Sequence, residues 1–298
     1  MSKYKKNERN LTADNADGRG FLWRFCAFAC PKCCAYSCRR AREYLLVAVI
    51  LYGSVLISSA KAGTLDIGAE LASLHYKEPG LMREDGILAG IYARYSGMLI
   101  TNFTGNILLS CTGGSVKYDG STMAGIPIET NSSDYLLNLR ALLEYQIQFI
   151  TPFTGISIRF LDDDLASGSS YGYERQTIYL YSPLGMKISG TFGNNWTLGA
   201  QGEYDLFWAG LNRNLDYPLT TGTATIELRQ RSGYGMQTSV FLQHPISKTF
   251  GLSMEIFLRY WNIDTSDSVL VYDPTAVYAL FEPANECMVY GLRAGMLW

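Results

Sequence analysis

The side chains of this sequence best suited to chemistry are few. His75 and His244 are its two histidines, and histidine is the side chain whose ordinary pKa lies near neutrality. Catalysis of the Ser-His-Asp kind needs such a ring within hydrogen-bond reach of a serine and a carboxylate. Both histidines fall on the apolar parity of their segments, His244 beside Pro245, so they read as interfacial or rim residues and no catalytic residue is assigned. The run Asp162-Asp-Asp164 is oxygen-rich enough for calcium, but a solvated entry to a loop is the simpler reading. Cys30-Pro-Lys-Cys33 has zinc-knuckle spacing, yet Cys34 and Cys38 supply the second pair only loosely. No metal site is expected, and no glycine-rich loop leads from a strand into a helix, so no nucleotide or other cofactor is expected either.

Charges on alternating positions are more numerous. Asp66, Glu70, Arg94, Arg140, Glu144, Arg159, Arg175, Glu203, Asp205, Glu255, Arg259 and Arg293 all share the polar parity of their segments, six acids with six arginines and no lysine. Guanidinium groups suit shared, bidentate carboxylate contacts. A balanced set of this kind pairs across a narrow, dry space more readily than it lines an open pore.

The elements that must carry these residues repeat with a period of two. From Tyr135 to Phe149 every odd position is apolar or aromatic, while Asn138, Arg140, Glu144, Gln146 and Gln148 lie between them. Thr249–Asn262 and Met288–Trp298 show the same alternation, which puts one greasy and one polar face on a strand. Ten such strands are expected, near 65–76, 86–97, 101–118, 135–149, 153–162, 173–188, 197–209, 229–244, 249–262 and 286–298. The expectation is an all-β, antiparallel transmembrane barrel of ten strands, with eight or twelve as the neighbouring alternatives. Connections near 77–85, 119–134, 163–172, 210–228 and 263–285 read as long loops, and those between them as short turns. Two aromatic girdles support the membrane reading over a soluble barrel. Tyr135, Phe160, Trp208, Tyr234, Tyr260 and Tyr290 fall at one level, with Phe149, Phe153, Phe250 and Trp298 at the other.

Composition agrees. Charged residues make up 17% of the 298, against about a quarter in a soluble domain. The net charge of −2 and the lack of a basic stripe argue against nucleic acid as a partner. Arg39, Arg40 and Arg42 precede the apolar run Tyr44–Ile57 and the site Ala60-Lys61-Ala62, the order of a secretory signal. Residues 1–62 are therefore expected to be a long basic region plus signal peptide, cut between Ala62 and Gly63, with residues 63–298 forming the barrel domain. Five of seven cysteines, Cys26 to Cys38, lie in the first segment, and Cys111 and Cys287 are too few for a disulfide scaffold.

The ending Tyr290-Gly-Leu-Arg-Ala-Gly-Met-Leu-Trp298 resembles the C-terminal signal of bacterial outer-membrane β-barrel proteins, with Tyr290, Leu292, Met296 and Trp298 on its apolar face. Gly172–Gly185 and Gly202-Glu-Tyr-Asp205 are similar to the same broad class, which includes small closed barrels and porin-like ones. The resemblance implies residence in the Gram-negative outer membrane, contact with its lipid and lipopolysaccharide, and recognition by the barrel assembly machinery; it carries no catalytic residues. The expected function is a non-enzymatic barrel with an ion-paired, largely closed lumen and long extracellular loops, serving envelope integrity or surface interaction. A small-solute channel is the alternative and an outer-membrane enzyme a third.

Overall fold

A computed structural model describes residues 63–121, 125–169, 172–219, 222–274 and 276–298. The expected signal segment and its cysteine cluster lie outside the described residues.

Alternating sequence becomes strand throughout: β1 Gly63–Glu78, β2 Met82–Ile100, β3 Phe103–Ser121, β4 Pro127–Tyr145, β5 Ile150–Asp164, β6 Glu174–Phe192, β7 Trp196–Leu219, β8 Gly222–Gln230, β9 Gly233–Pro245, β10 Gly251–Ile263, β11 Val269–Asp273, β12 Ala276–Leu280 and β13 Asn285–Leu297. Successive strands pair antiparallel, and β13 closes the sheet by pairing both β10 and β1. β8 and β9 are two parts of one stave. β7 pairs β9 from Thr197 to Leu206 and β8 from Gly210 to Leu219. The barrel therefore has ten staves, and β11–β12 form a separate hairpin. Closure through β9 and β13 pairs the wall on all sides at the level of β9, as a strand in lipid requires because no water is there to satisfy its backbone, while β8 beyond it pairs β7 alone.

Apolar side chains face outward along the wall. Ile87, Ile91, Ile256 and Trp208 are between 58% and 65% exposed. A contiguous belt of this kind is unfavourable in water and suits hydrocarbon. Trp208 and Tyr290 stand at one margin of the belt, and Phe149, Phe192 and Trp298 at the other. Phe153, expected in the second girdle, is 5% exposed and turned into the barrel, because inward parity in β5 falls on Thr151, Phe153 and Ser157.

The connections differ from expectation. At the end carrying β1's start and β13's finish the turns are tight, with Asn102, Gln148 and Asn195 at φ of 66°, 54° and 65°. The strand expected over 135–149 stops at Tyr145, and Gln148 lies in its turn. At the far end, three of the five expected long loops, those near 77–85, 119–134 and 210–228, shrink because their strands continue past the belt. Residues 77–85 turn through Pro79-Gly80-Leu81, where Gly80 takes a φ of 80° that glycine adopts without steric cost. The connection 165–173 keeps close to its expected length, and the longer 264–284 carries the β11–β12 hairpin.

Candidate functional site in the barrel lumen

Inward parity brings most of the alternating charges into one chain of contacts. Asp66 meets Arg94 at 3.9 Å, and Arg94 bonds to Glu255. Glu255 also accepts from Arg293 at 3.3 Å, and Arg293 Nε donates to Glu70 at 2.7 Å. Glu70 lies 3.8 Å from Arg259, whose Nε donates to Gln237 at 2.9 Å. The same Gln237 oxygen accepts from Arg140 at 2.7 Å, and Arg140 donates to Glu203 at 2.6 Å. The chain runs through β2, β10, β13, β1, β9, β4 and β7, so it braces opposite walls. Phe257 supports it, with the Arg259 and Arg293 guanidinium carbons 4.4 and 4.8 Å from its ring centroid.

The remaining members of the expected set lie apart from this chain. Glu144 pairs at 2.8 Å with Lys187, an inward lysine that the polar-parity set omitted. Arg159 has no carboxylate partner among the described residues. It donates to Cys287 Sγ at 3.1 Å and lies over Trp261 at 4.9 Å and Tyr179 at 5.5 Å. Asp205 is 1% exposed and makes no ion pair within 4 Å among the described residues. Arg175 forms a second centre nearer the far end. It bonds to Glu78 and meets Asp163 at 3.0 Å, Glu282 at 3.3 Å and Glu84 at 3.6 Å. Glu282 comes from the long 264–284 connection, so this contact ties that segment into the mouth of the barrel. Burial pushes the Glu282 carboxyl up to about 7, with Glu78 and Asp163 adding to the rise and the Arg175 guanidinium opposing it.

Between the two charged layers lies a cluster of apolar side chains into which Arg159 projects. Leu74, Leu88, Val116, Leu136, Leu161, Ile263 and Val289 pack inside with Tyr179, Tyr181, Phe257 and Trp261, all buried. The inward leucines share parity with the charges, and a reading that scored only polar residues on that face missed them. On the other side of the ionic chain, a cavity of about 270 Å³ reaches from Thr64 and Leu297 up to Arg94, Arg140 and Arg293.

The other singled-out residues are on the wall. Leu292, Met296 and Tyr290 face outward on β13, and Trp298 stands 6.4 Å from Phe250. The three aspartates of 162–164 diverge. Asp163 turns inward to Arg175 and Ser132, while Asp164 accepts from Ser167 N at 3.1 Å at the start of a 3-10 turn. His244 stacks on Trp196 at 4.2 Å. His75 is on the outer wall and has partners at both ring nitrogens. Its Nδ1 lies 2.6 Å from Asp85 on β2, and its Nε2 lies 3.1 Å from Ser73 Oγ and 3.2 Å from the Tyr290 hydroxyl.

Ten antiparallel staves, an outward apolar belt and a filled interior define the architecture. It superposes on the outer membrane protease OmpT from Escherichia coli with a TM-score of 0.56, at 10% identity, over 80% of this chain and 97% of that one. This is the fold of an outer-membrane β-barrel. The NalP autotransporter translocator domain from Neisseria meningitidis also aligns, over 84% of this chain and 97% of that domain, but its TM-score of 0.35 and 10% identity carry no argument. No family model and no curated protein matches the sequence. Likeness at this identity concerns the fold, and the protease's activity does not come with it.

Proposed function

We propose that the protein resides in the bacterial outer membrane as a sealed barrel. On this reading its work is done by the lipid-facing wall and the far-end surface, in envelope integrity or surface interaction, and transport through the bore is not part of it. The observation that carries the reading is the stacking of layers. The ionic chain through Arg140, Gln237 and Arg259 crosses the bore, the Trp261–Tyr179–Phe257 layer fills it, and the Arg175 centre caps it. Eight-stranded barrels are just wide enough to be filled by side chains, and ten staves lie close to that limit. Ten of the twelve predicted lumen charges are ion-paired, and the reading assigns no catalysis to the bore. In this orientation the termini-bearing end faces the periplasm and lipopolysaccharide borders the far-end girdle.

A small-solute channel is the second reading, favoured by the 270 Å³ cavity that enters from the termini-bearing end. Liposome swelling separates the two. Proteoliposomes of the folded protein in an arabinose gradient are expected to swell no faster than protein-free vesicles. Swelling at the rate of a porin control would favour the channel.

A further inference from the structure

On the outer wall, at the margin of the apolar belt, three side chains from two strands meet in an order that carries chemistry. Ser73 and His75 are two residues apart on β1, so both point outward on one face. The β1–β2 hairpin sets Asp85 directly opposite His75 and Ile87 opposite Ser73. Asp85 Oδ1 lies 2.6 Å from His75 Nδ1 and Ser73 Oγ 3.1 Å from Nε2. We infer that Ser73, His75 and Asp85 form a hydrolytic triad on the lipid-facing wall, whose substrate is an acyl ester of a lipid in the adjoining leaflet. This goes beyond the sealed-barrel reading and departs from the expectation of a non-enzymatic protein. It does not depend on whether the bore conducts.

The roles follow from the contacts. Asp85 accepts from Nδ1–H and so leaves the Nε2 lone pair facing the serine, the tautomer a general base needs. Ser73 Oγ attacks the ester carbonyl carbon as its proton passes to Nε2. The tetrahedral intermediate then collapses, the alcohol leaves with the proton from Nε2, and the acyl group stays on Ser73. Water attacks that acyl ester as Nε2 takes its proton, and the proton returns to Ser73 as the fatty acid departs. One ester and one water give one acid and one alcohol. Tyr290 is the cross-strand partner of Ser73, and its hydroxyl, 3.2 Å from Nε2, is placed to donate to the developing oxyanion.

Position selects the substrate class. Leu71 and Ile87, 53% and 65% exposed, provide an apolar surface beside and below Ser73 along which acyl chains can lie. Beyond His75 the wall turns polar, with Lys77 paired to Glu286 at 3.0 Å and Lys117 opposite Asp85. An ester carbonyl sits at that same boundary in a bilayer, between chains and headgroup. A water-soluble ester would find no enclosing pocket here.

The test uses the full chain folded in dodecylmaltoside. A fluorophosphonate probe is expected to add once, at Ser73, by intact mass and peptide mapping, and not at all in Ser73→Ala. Mixed micelles of dioleoyl phosphatidylcholine should release fatty acid at a rate that falls at least about 100-fold in Ser73→Ala and His75→Ala. Asp85→Asn should keep KM, lose kcat by about 10²–10⁴-fold and move the pH profile of kcat/KM, which a merely structural role would leave in place. Heat-modifiable gel mobility checks that each variant is folded. An unlabelled wild type, labelling that survives Ser73→Ala, or lipid hydrolysis no faster than Ser73→Ala would overturn the triad. Hydrolysis of soluble esters alone, with no fatty acid from the micelles, would overturn the lipid assignment.

Discussion

Replacing Arg175 with leucine should destabilise the far-end half of the barrel more than any other single change in the lumen. Glu78, Glu84, Asp163 and Glu282 all take Arg175 as their cation, and each is no more than 7% exposed at the side chain. Removing one partner from a buried ion pair costs about 3–5 kcal/mol, and here several acids lose the same partner. The expected result at pH 7.5 is a marked fall in the temperature at which folded, fast-migrating barrel converts to the unfolded band. Acidification should restore much of the loss. Burial holds the Glu282 carboxyl up at about 7 in the folded protein. Unfolded glutamate titrates near 4.3. Between the two values the folded state holds protons that the unfolded chain has released, so stability is fully present below the unfolded value and falls as pH rises through the folded one. The wild type should therefore lose stability from about pH 5 to 8. Arg175→Leu should steepen that loss and extend it upward, because the guanidinium that lowers these acids is gone. A variant as stable as wild type at pH 7.5, with the same pH profile, would place these carboxylates in water.

The second large effect is expected at Arg140. It and Glu203 face each other at 2.6 Å with side chains 3% and 1% exposed, and Arg140 also holds Gln237. Arg140→Met should cost about 3–5 kcal/mol, since Glu203 would be left charged and dry. The double variant Arg140→Met, Glu203→Leu should regain most of that, because apolar side chains of similar size can replace a buried pair at little net cost. Equilibrium unfolding in urea, with folding followed by tryptophan emission, measures all three. If the wild type, Arg140→Met and the double variant are equally stable, water in the adjacent cavity is solvating the pair and the ionic chain does not brace the wall.

Much of this molecule is legible in alternation alone. Odd parity from Tyr135 to Leu143 gives the outward face of β4, and even parity at Asn138 and Arg140 gives the inward one. Side chains on alternate faces leave a strand little freedom, which is why ten staves and most inward charges can be read from spacing. Pairing between strands is less visible. Arg159 looks like Arg140 in sequence, but its neighbours across the bore are Trp261, Tyr179 and Cys287, not an acid. Glu282 belongs to a connection, and no periodicity marks a loop residue that tucks back to Arg175. Strand ends misled in the other direction. Residues 210–219 look loop-like for their polar side chains, yet they extend β7 past the apolar belt, where water satisfies the outward face. The proposed wall triad rests on local pairing. A serine and a histidine two apart share one face, and a turn centred on Gly80 brings Asp85 opposite His75. Only the register of that one hairpin was needed to see it.

The central claim is that the bore is closed, and single-molecule conductance in a planar lipid bilayer addresses it most directly. Purified folded protein in 1 M KCl at about 100 mV is expected to give a flat current on insertion, while Arg140→Met gives brief, irregular openings as the brace is lost. A large, steady conductance from the wild type would contradict the account, because it requires a continuous water path past the Arg140–Gln237–Arg259 brace and the Trp261 layer.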